Sequence, residues 1–147
     1  MFEQDYLGRM IKDFIEGLIR TLKESRELEN PLESASSIEK ILENCTDIDG
    51  QILLNLQPES MVNMFQVTNI DPKLCPFIAH SLQLESHLLK KAGKPELAEL
   101  RMNQAKAVAN AYDIDLEEPP LELKESLSDK DFETLSELGI DLNAEKA

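Results

Sequence analysis

Residues 76–112 read PFIAHSLQLESHLLKKAGKPELAELRMNQAKAVANAY, and the spacing of the apolar side chains in this stretch decides the fold. The apolar positions follow the period of an amphipathic helix and not the alternation of a strand. Gly93 stands where a glycine closes a helix, and Pro95 stands where a new helix begins. Because the loop between two such helices is only a few residues long, they must be antiparallel neighbours.

A long amphipathic helix is also predicted at the N-terminus. Its apolar side chains recur at steps of one, three and four residues, so the apolar stripe is wide and must be covered from more than one side. A second copy of the chain could cover part of it, which would give a homodimer through this helix. The stripe consists of Phe2, Tyr6, Leu7, Met10, Ile11, Phe14, Ile15, Leu18, Ile19 and Leu22.

Short helices are predicted in the middle of the chain. Residues 30–33 (NPLE) supply an N-cap asparagine, a first-turn proline and a capping acid, while residues 36–39 (SSIE) offer a competing start. Thr46 with Asp49 is a second capping pair, and Pro58 opens a further helix.

After Tyr112 the composition becomes strongly acidic. Residues 113–147 contain 12 acidic residues and 3 lysines. Ser128 with Asp131 predicts one short helix that Gly139 closes, whereas Pro119-Pro120 predicts a break. We therefore divide the chain into a helical domain, 1–112, and an acidic C-terminal extension, 113–147, packed on the same domain. The expected fold is all-α, with about six to seven helices and no sheet.

The charge balance excludes several classes of partner. The chain carries 29 acidic and 15 basic residues, a net charge of −14, which repels nucleic acid and anionic membranes. No apolar run reaches the ~18 residues that a membrane span needs, and the N-terminal acids do not fit a signal peptide. These features predict a cytoplasmic protein.

The sequence contains few groups suited to catalysis or metal binding. His80 and His87 lie seven residues apart on one predicted helix, about 10 Å at 1.5 Å per residue, too far to chelate one ion. Cys45 and Cys75 have no partner at metal-ligand spacing. We therefore expect no metal and no cofactor. The alternative is a small-molecule or metal-binding protein or enzyme with an interhelical pocket near His80, His87 and Tyr112.

The hairpin at about residues 82–110 resembles a tetratricopeptide repeat. In that family, large and small residues alternate on the first helix of the repeat. A second group of small and large residues lies on the helix that follows the turn. The resemblance implies a seam in which small side chains let two helices approach while larger ones fill the contact. The matching positions are Leu82, Ser86, Leu89, Ala98, Met102 and Ala105.

The opening residues, MFEQDY followed by Arg9-Met10-Ile11, resemble the start of an uncharacterised family of small all-helical bacterial proteins. This resemblance implies a helical fold over most of the chain and supplies no activity.

Basic side chains are concentrated on the hairpin, in contrast to the acidic extension. These charges indicate two solvated faces. The alternative is that the extension lies across the hairpin and competes with an acidic peptide partner. The leading hypothesis is a non-enzymatic protein–protein interaction module; a subunit of a larger assembly is a further alternative. The basic residues are Lys90, Lys91, Lys94, Arg101 and Lys106.

Overall fold

The computed structural model describes residues 2–141, with side chains from Tyr6 onward, and this part of the chain is helical without any strand. The predicted all-α class is confirmed. Met1, the side chain of Phe2 and residues 142–147 of the extension lie outside the described part. The helices are α1 (Phe2–Leu28), α2 (Pro31–Thr46), α3 (Gly50–Leu54), α4 (Pro58–Val67), α5 (Cys75–Lys91), α6 (Pro95–Ala111), α7 (Leu121–Ser126) and α8 (Asp129–Glu137), with a short 3-10 helix, Pro72–Leu74, before α5.

Local sequence signals set most helix ends. Asn30 caps α2, its side-chain oxygen accepting a hydrogen bond from the backbone N–H of Glu33 at 3.1 Å. Gly93 adopts a φ of 80°, a left-handed conformation that glycine adopts at low cost. The backbone N–H groups of Gly93 and Lys94 then donate to the carbonyls of Lys90 and Leu89, which closes α5 in a Schellman motif.

Two local predictions are wrong. Thr46 does not start a helix: it is the last residue of α2, and its hydroxyl donates to the Leu42 carbonyl. The N-cap of α3 is Asp49, and the carboxylate of Glu43 accepts a further hydrogen bond from the N–H of Gly50. The extension contains two helices rather than one, because α7 begins directly after Pro120. A proline can precede a helix without cost, since the first N–H groups of a helix lack intrahelical partners.

The α5–α6 hairpin forms the centre of the fold. Helix α2 packs on α5, α1 packs on α2, and α4 packs on α6. The interior between them is filled by aliphatic side chains and three phenylalanines, as expected for a helical array poor in aromatic residues. The largest fully buried apolar side chains are Phe14, Phe65, Ile38, Leu42, Leu53, Met61, Ile78, Leu82, Leu88 and Val108.

The described part of the extension packs on α1 and α5. Helices α7 and α8 contact α1, and their leucines join the core beside Leu18, Leu22 and Leu84. An ion pair of 2.8 Å between Arg26 and Asp131 ties α1 to α8. The C-terminal half of the apolar stripe of α1 is therefore mostly covered within the chain, whereas Tyr6 is 64% exposed, and the homodimer through this helix stays a prediction.

Candidate functional site

A groove of about 370 Å³ runs along the outer side of the hairpin, between α5 and α6. Three side chains of α5 and six residues of α6 line it. The lining residues are Ser86, His87, Lys90, Pro95, Ala98, Glu99, Met102, Asn103 and Lys106.

Small side chains determine how close the two helices lie. The Ser86 hydroxyl donates to the carbonyl of Ala98 at 2.6 Å, joining α5 to the first turns of α6. Of the six residues of the predicted seam, Met102 is half-buried in the groove, and the other five are buried. Met102 thus offers an apolar, adaptable surface to the groove.

Two lysines give the groove a positive edge. Lys90 and Lys106 are exposed and line it from opposite helices, and Glu99 is the acidic residue among its lining. Lys91 is exposed but lines a different cavity, beside Arg26 and Glu137, and Lys94 is exposed in the loop before α6.

Arg101 does not belong to this basic surface. Its residue exposure is 4%, and its guanidinium points into the core, where Nε donates to Oε2 of Glu85 at 2.9 Å. Nη1 donates to the carbonyl of Leu54 at 2.7 Å, and Nη2 lies 3.4 Å from Oε2 of Glu39. Arg101 thus joins α6 to α5, α2 and the end of α3, which is a structural role.

Gln104 completes this buried polar cluster. Its side-chain amide donates to the carbonyls of Leu54 and Leu56, at 3.1 and 2.8 Å. The carbonyls at the C-terminal end of a helix have no intrahelical partner, so Arg101 and Gln104 satisfy groups that α3 leaves open. Glu85 is fully buried, so a ligand cannot reach its carboxyl group from solvent.

The two histidines hold different parts of the extension. Nε2 of His80 lies 3.0 Å from the carbonyl of Glu118, and an N–H at that position donates to it. The ring of His87 lies beside Gly139, and the Leu138 carbonyl is a hydrogen-bond partner of His87. Burial lowers the pKa of both imidazoles below the usual 6.5.

The alternative pocket near His80, His87 and Tyr112 is not supported as one cavity. His80 lines an apolar cavity of about 30 Å³ between α1, α5 and the extension, which has room for little more than a water molecule. His87 lines the outer groove, and Tyr112 interacts with Cys75. Within residues 2–141, no group of three or more His, Cys, Asp and Glu side chains is placed to hold a metal ion.

Neither cysteine is activated as a nucleophile. Burial raises the pKa of Cys45 to about 12 and that of Cys75 to about 11, so both thiols stay protonated at neutral pH. The two residues are free thiols.

A larger groove, of about 410 Å³, lies between α1 and α2. Its charged lining is balanced, with Arg9 and Arg20 against Asp13 and Glu16. The α1–α2 groove therefore shows no preference for a positively or a negatively charged ligand, whereas the α5–α6 groove favours a negatively charged one.

The described part of the extension does not lie across the lysines, as the alternative interpretation of its charge required. It packs on α1 and α5 and reaches the edge of the α5–α6 groove at Gly139, beside His87. The reason is its apolar side chains, which bury themselves against α1 and α5, whereas its acidic side chains are mostly exposed.

Comparison with known proteins yields no relative. No family model matches the chain, and neither a curated protein nor a solved structure matches it. Both resemblances drawn from the sequence therefore stay predictions. Within residues 2–141, no helix has the combination of length and apolar character that crossing a bilayer requires.

Proposed function

We propose that this chain is a non-enzymatic protein–protein interaction module whose α5–α6 groove binds an acidic peptide segment of another protein. The observation that carries the proposal is that Lys90 of α5 and Lys106 of α6 both line a groove that Met102 also lines. A chain of net charge −14 repels acidic partners at most of its surface, so a local basic groove selects where such a partner can bind.

The groove also fits the physical needs of peptide recognition. Met102 and Ala98 offer apolar contact for one side chain of the peptide, and Asn103 offers polar groups for its backbone. The positive charges of the two lysines then favour acidic residues on both sides of this apolar side chain of the peptide. The occupant is a segment with acidic side chains on both sides of an apolar one.

The test measures binding of short fluorescent peptides by anisotropy. One peptide carries glutamates around a central leucine, a second carries lysines around it, and a third is neutral. We expect the acidic peptide to bind most tightly, and its affinity to fall as salt screens the lysines.

The matched variants are K90E/K106E, which reverses the charge of the groove, and K12E/K40E, which makes the same change on exposed lysines of α1 and α2. The first variant should lose binding and the second should retain most of it. Equal losses in both variants, or equal binding of all three peptides, would contradict the proposal.

A further inference from the structure

His87 stands where the α5–α6 groove meets the C-terminal extension. Its side chain lines the groove together with Lys90 and Lys106. On the other side, its ring packs against Gly139: a Cβ on that glycine would lie 3.2 Å from Nδ1 of His87 and 3.4 Å from Cε1. The imidazole is thus half-buried between a protein contact and the open groove.

The charges around His87 favour its neutral form while the groove is empty. Burial lowers the pKa of His87 below 6.5, the Leu138 carbonyl raises it, and the positive charge of Lys90 lowers it. Lys106 faces the groove from α6 with a further positive charge, and Glu99 opposes it with a negative one.

Other charged groups lie near the extension side of the ring. Glu137 lies beside Leu138 and lines the neighbouring cavity with Lys91, and Asp141 is two residues beyond Gly139. These groups belong to the folded chain both with and without a peptide in the groove. The charge that changes on binding is therefore that of the peptide itself.

We propose that His87 acts as a pH-dependent specificity residue of the groove, adding a third positive charge that strengthens the binding of acidic peptides as the pH falls. The inference rests on the proposed function of the groove. An anionic peptide beside the imidazole favours the protonated ring, because opposite charges stabilise each other where water is partly excluded.

A protonated imidazole also has the hydrogen-bonding groups that this position needs. Both of its nitrogens then carry a proton and donate. One N–H can bind the Leu138 carbonyl while the other faces a peptide carboxylate, so the contact with the extension is kept when the charge appears.

The direction of the pH effect follows from linkage. A peptide that raises the pKa of His87 binds more tightly once the pH falls through the interval between the pKa values of the bound and the free protein. The free value lies below 6.5, and the carboxylates of the peptide stay ionised well below that pH. A gain of about three- to tenfold between about pH 7.5 and about pH 5.5 is expected for one such charge contact.

The experiment measures the affinity of the glutamate–leucine peptide at both pH values for the wild type, H87Q and H80Q. Glutamine keeps a side-chain N–H for the Leu138 or Glu118 carbonyl and does not titrate. We expect the affinity of the wild type to be higher at about pH 5.5 than at about pH 7.5, and the ratio of the two affinities to fall to about one in H87Q. H80Q should keep the gain, because its carbonyl contact lies away from the groove.

The outcomes separate this inference from the proposed function. Binding by the wild type that is equal at both pH values overturns the role of His87 and leaves the groove as the binding site. A gain that persists in H87Q also overturns it, and absence of binding at both pH values overturns the groove itself. Proton NMR gives an independent readout, since the pKa of the His87 ring must rise when the acidic peptide is added and stay unchanged with the neutral peptide.

Discussion

Nε of Arg101 donates to Oε2 of Glu85 at 2.9 Å in the core, while Oε1 of the same carboxyl group has no hydrogen-bond partner. Burial raises the pKa of Glu85 to about 9, with a further increase from the nearby Glu39, and these effects outweigh the lowering by Arg101. Glu85 is therefore neutral at pH 7, and the half-exposed Glu39 balances the charge of Arg101. The cluster is held by hydrogen bonds to Arg101 more than by a buried pair of full charges.

The raised pKa of Glu85 makes the stability of the protein depend on pH. The unfolded chain has the ordinary value of 4.5, so between pH 4.5 and about 9 the folded state binds a proton that the unfolded state has lost. The free energy of unfolding must therefore fall as the pH rises through this interval, by up to about 1.4 kcal/mol per pH unit. Urea denaturation at a series of pH values measures this slope.

The substitution E85Q removes the titrating group and keeps its shape. We expect E85Q to flatten the slope and to be more stable than the wild type at about pH 8, where deprotonation costs the wild type most. The matched control is E99Q, on an exposed glutamate of α6, which should keep the slope of the wild type. An unchanged slope in E85Q would show that Glu85 is ionised in the folded state.

Arg101 should be far more important for stability than the lysines with which the sequence grouped it. R101M keeps most of the side-chain volume but removes the donors to Glu85 and to the carbonyl of Leu54, at a cost of about 3 kcal/mol. K106M, on the exposed side of the same helix, should change the free energy of unfolding by about 0.5 kcal/mol or less. Equal costs in denaturant melts would mean that the buried cluster contributes little.

The sequence could predict the local parts of this fold because their causes lie within a few residues. The caps at Asn30 and Ser128 and the turns at Gly93 and Gly139 depend on side chains and backbone groups at most five positions apart. Their positions therefore follow from residue types and spacing alone.

The buried cluster could not be predicted in the same way, because Arg101 and Leu54 are 47 residues apart in the chain. One signal was nevertheless present: Arg101 shares a helical face with Ala98, Ala105 and Val108, at steps of three and four, and all three are buried. Charge alone groups Arg101 with the basic surface, whereas its position in this helical period predicts a buried side chain. The contact between His87 and Gly139 has no comparable signal in the neighbouring sequence, because it depends on how the extension folds back onto α5.

The two glycines of α1 provide a matched pair for testing the contact between α1 and α2. A Cβ on Gly17 would lie 2.8 Å from Cδ1 and 3.0 Å from Cγ1 of Ile41, whereas a Cβ on Gly8 would meet nothing within 4 Å. G8A should therefore stabilise the protein by about 0.5–1 kcal/mol through helix propensity alone. G17A should lose that gain and cost about 1 kcal/mol, because the stiff, branched Ile41 must move. Thermal melts measure both effects. Equal shifts of the melting temperature in both variants would mean that Ile41 and α2 move aside at no cost.

Asp131 should contribute more to the docking of the extension than any other acidic residue of the first turn of α8. Its Oδ2 accepts a hydrogen bond from the backbone N–H of Ser128 at 2.9 Å, and its Oδ1 accepts one from Nη1 of Arg26 at 2.8 Å. D131A removes both contacts from a buried position and should cost about 2 kcal/mol, whereas S128A removes only the cap and should cost about 1 kcal/mol.

The exposed Asp129 lies in the same first turn and makes D129A the control, with an expected cost of about 0.5 kcal/mol or less. Hydrogen exchange resolves where the stability is lost. In D131A, the amides of α7 and α8 should exchange faster while those of the α5–α6 hairpin keep their protection, because the ion pair joins the extension to α1 and not to the hairpin. If the amides of α7 and α8 exchange at the same rates in D131A and D129A, the ion pair of Arg26 and Asp131 does not hold the extension in place. Its apolar contacts with α1 and α5 would then be sufficient.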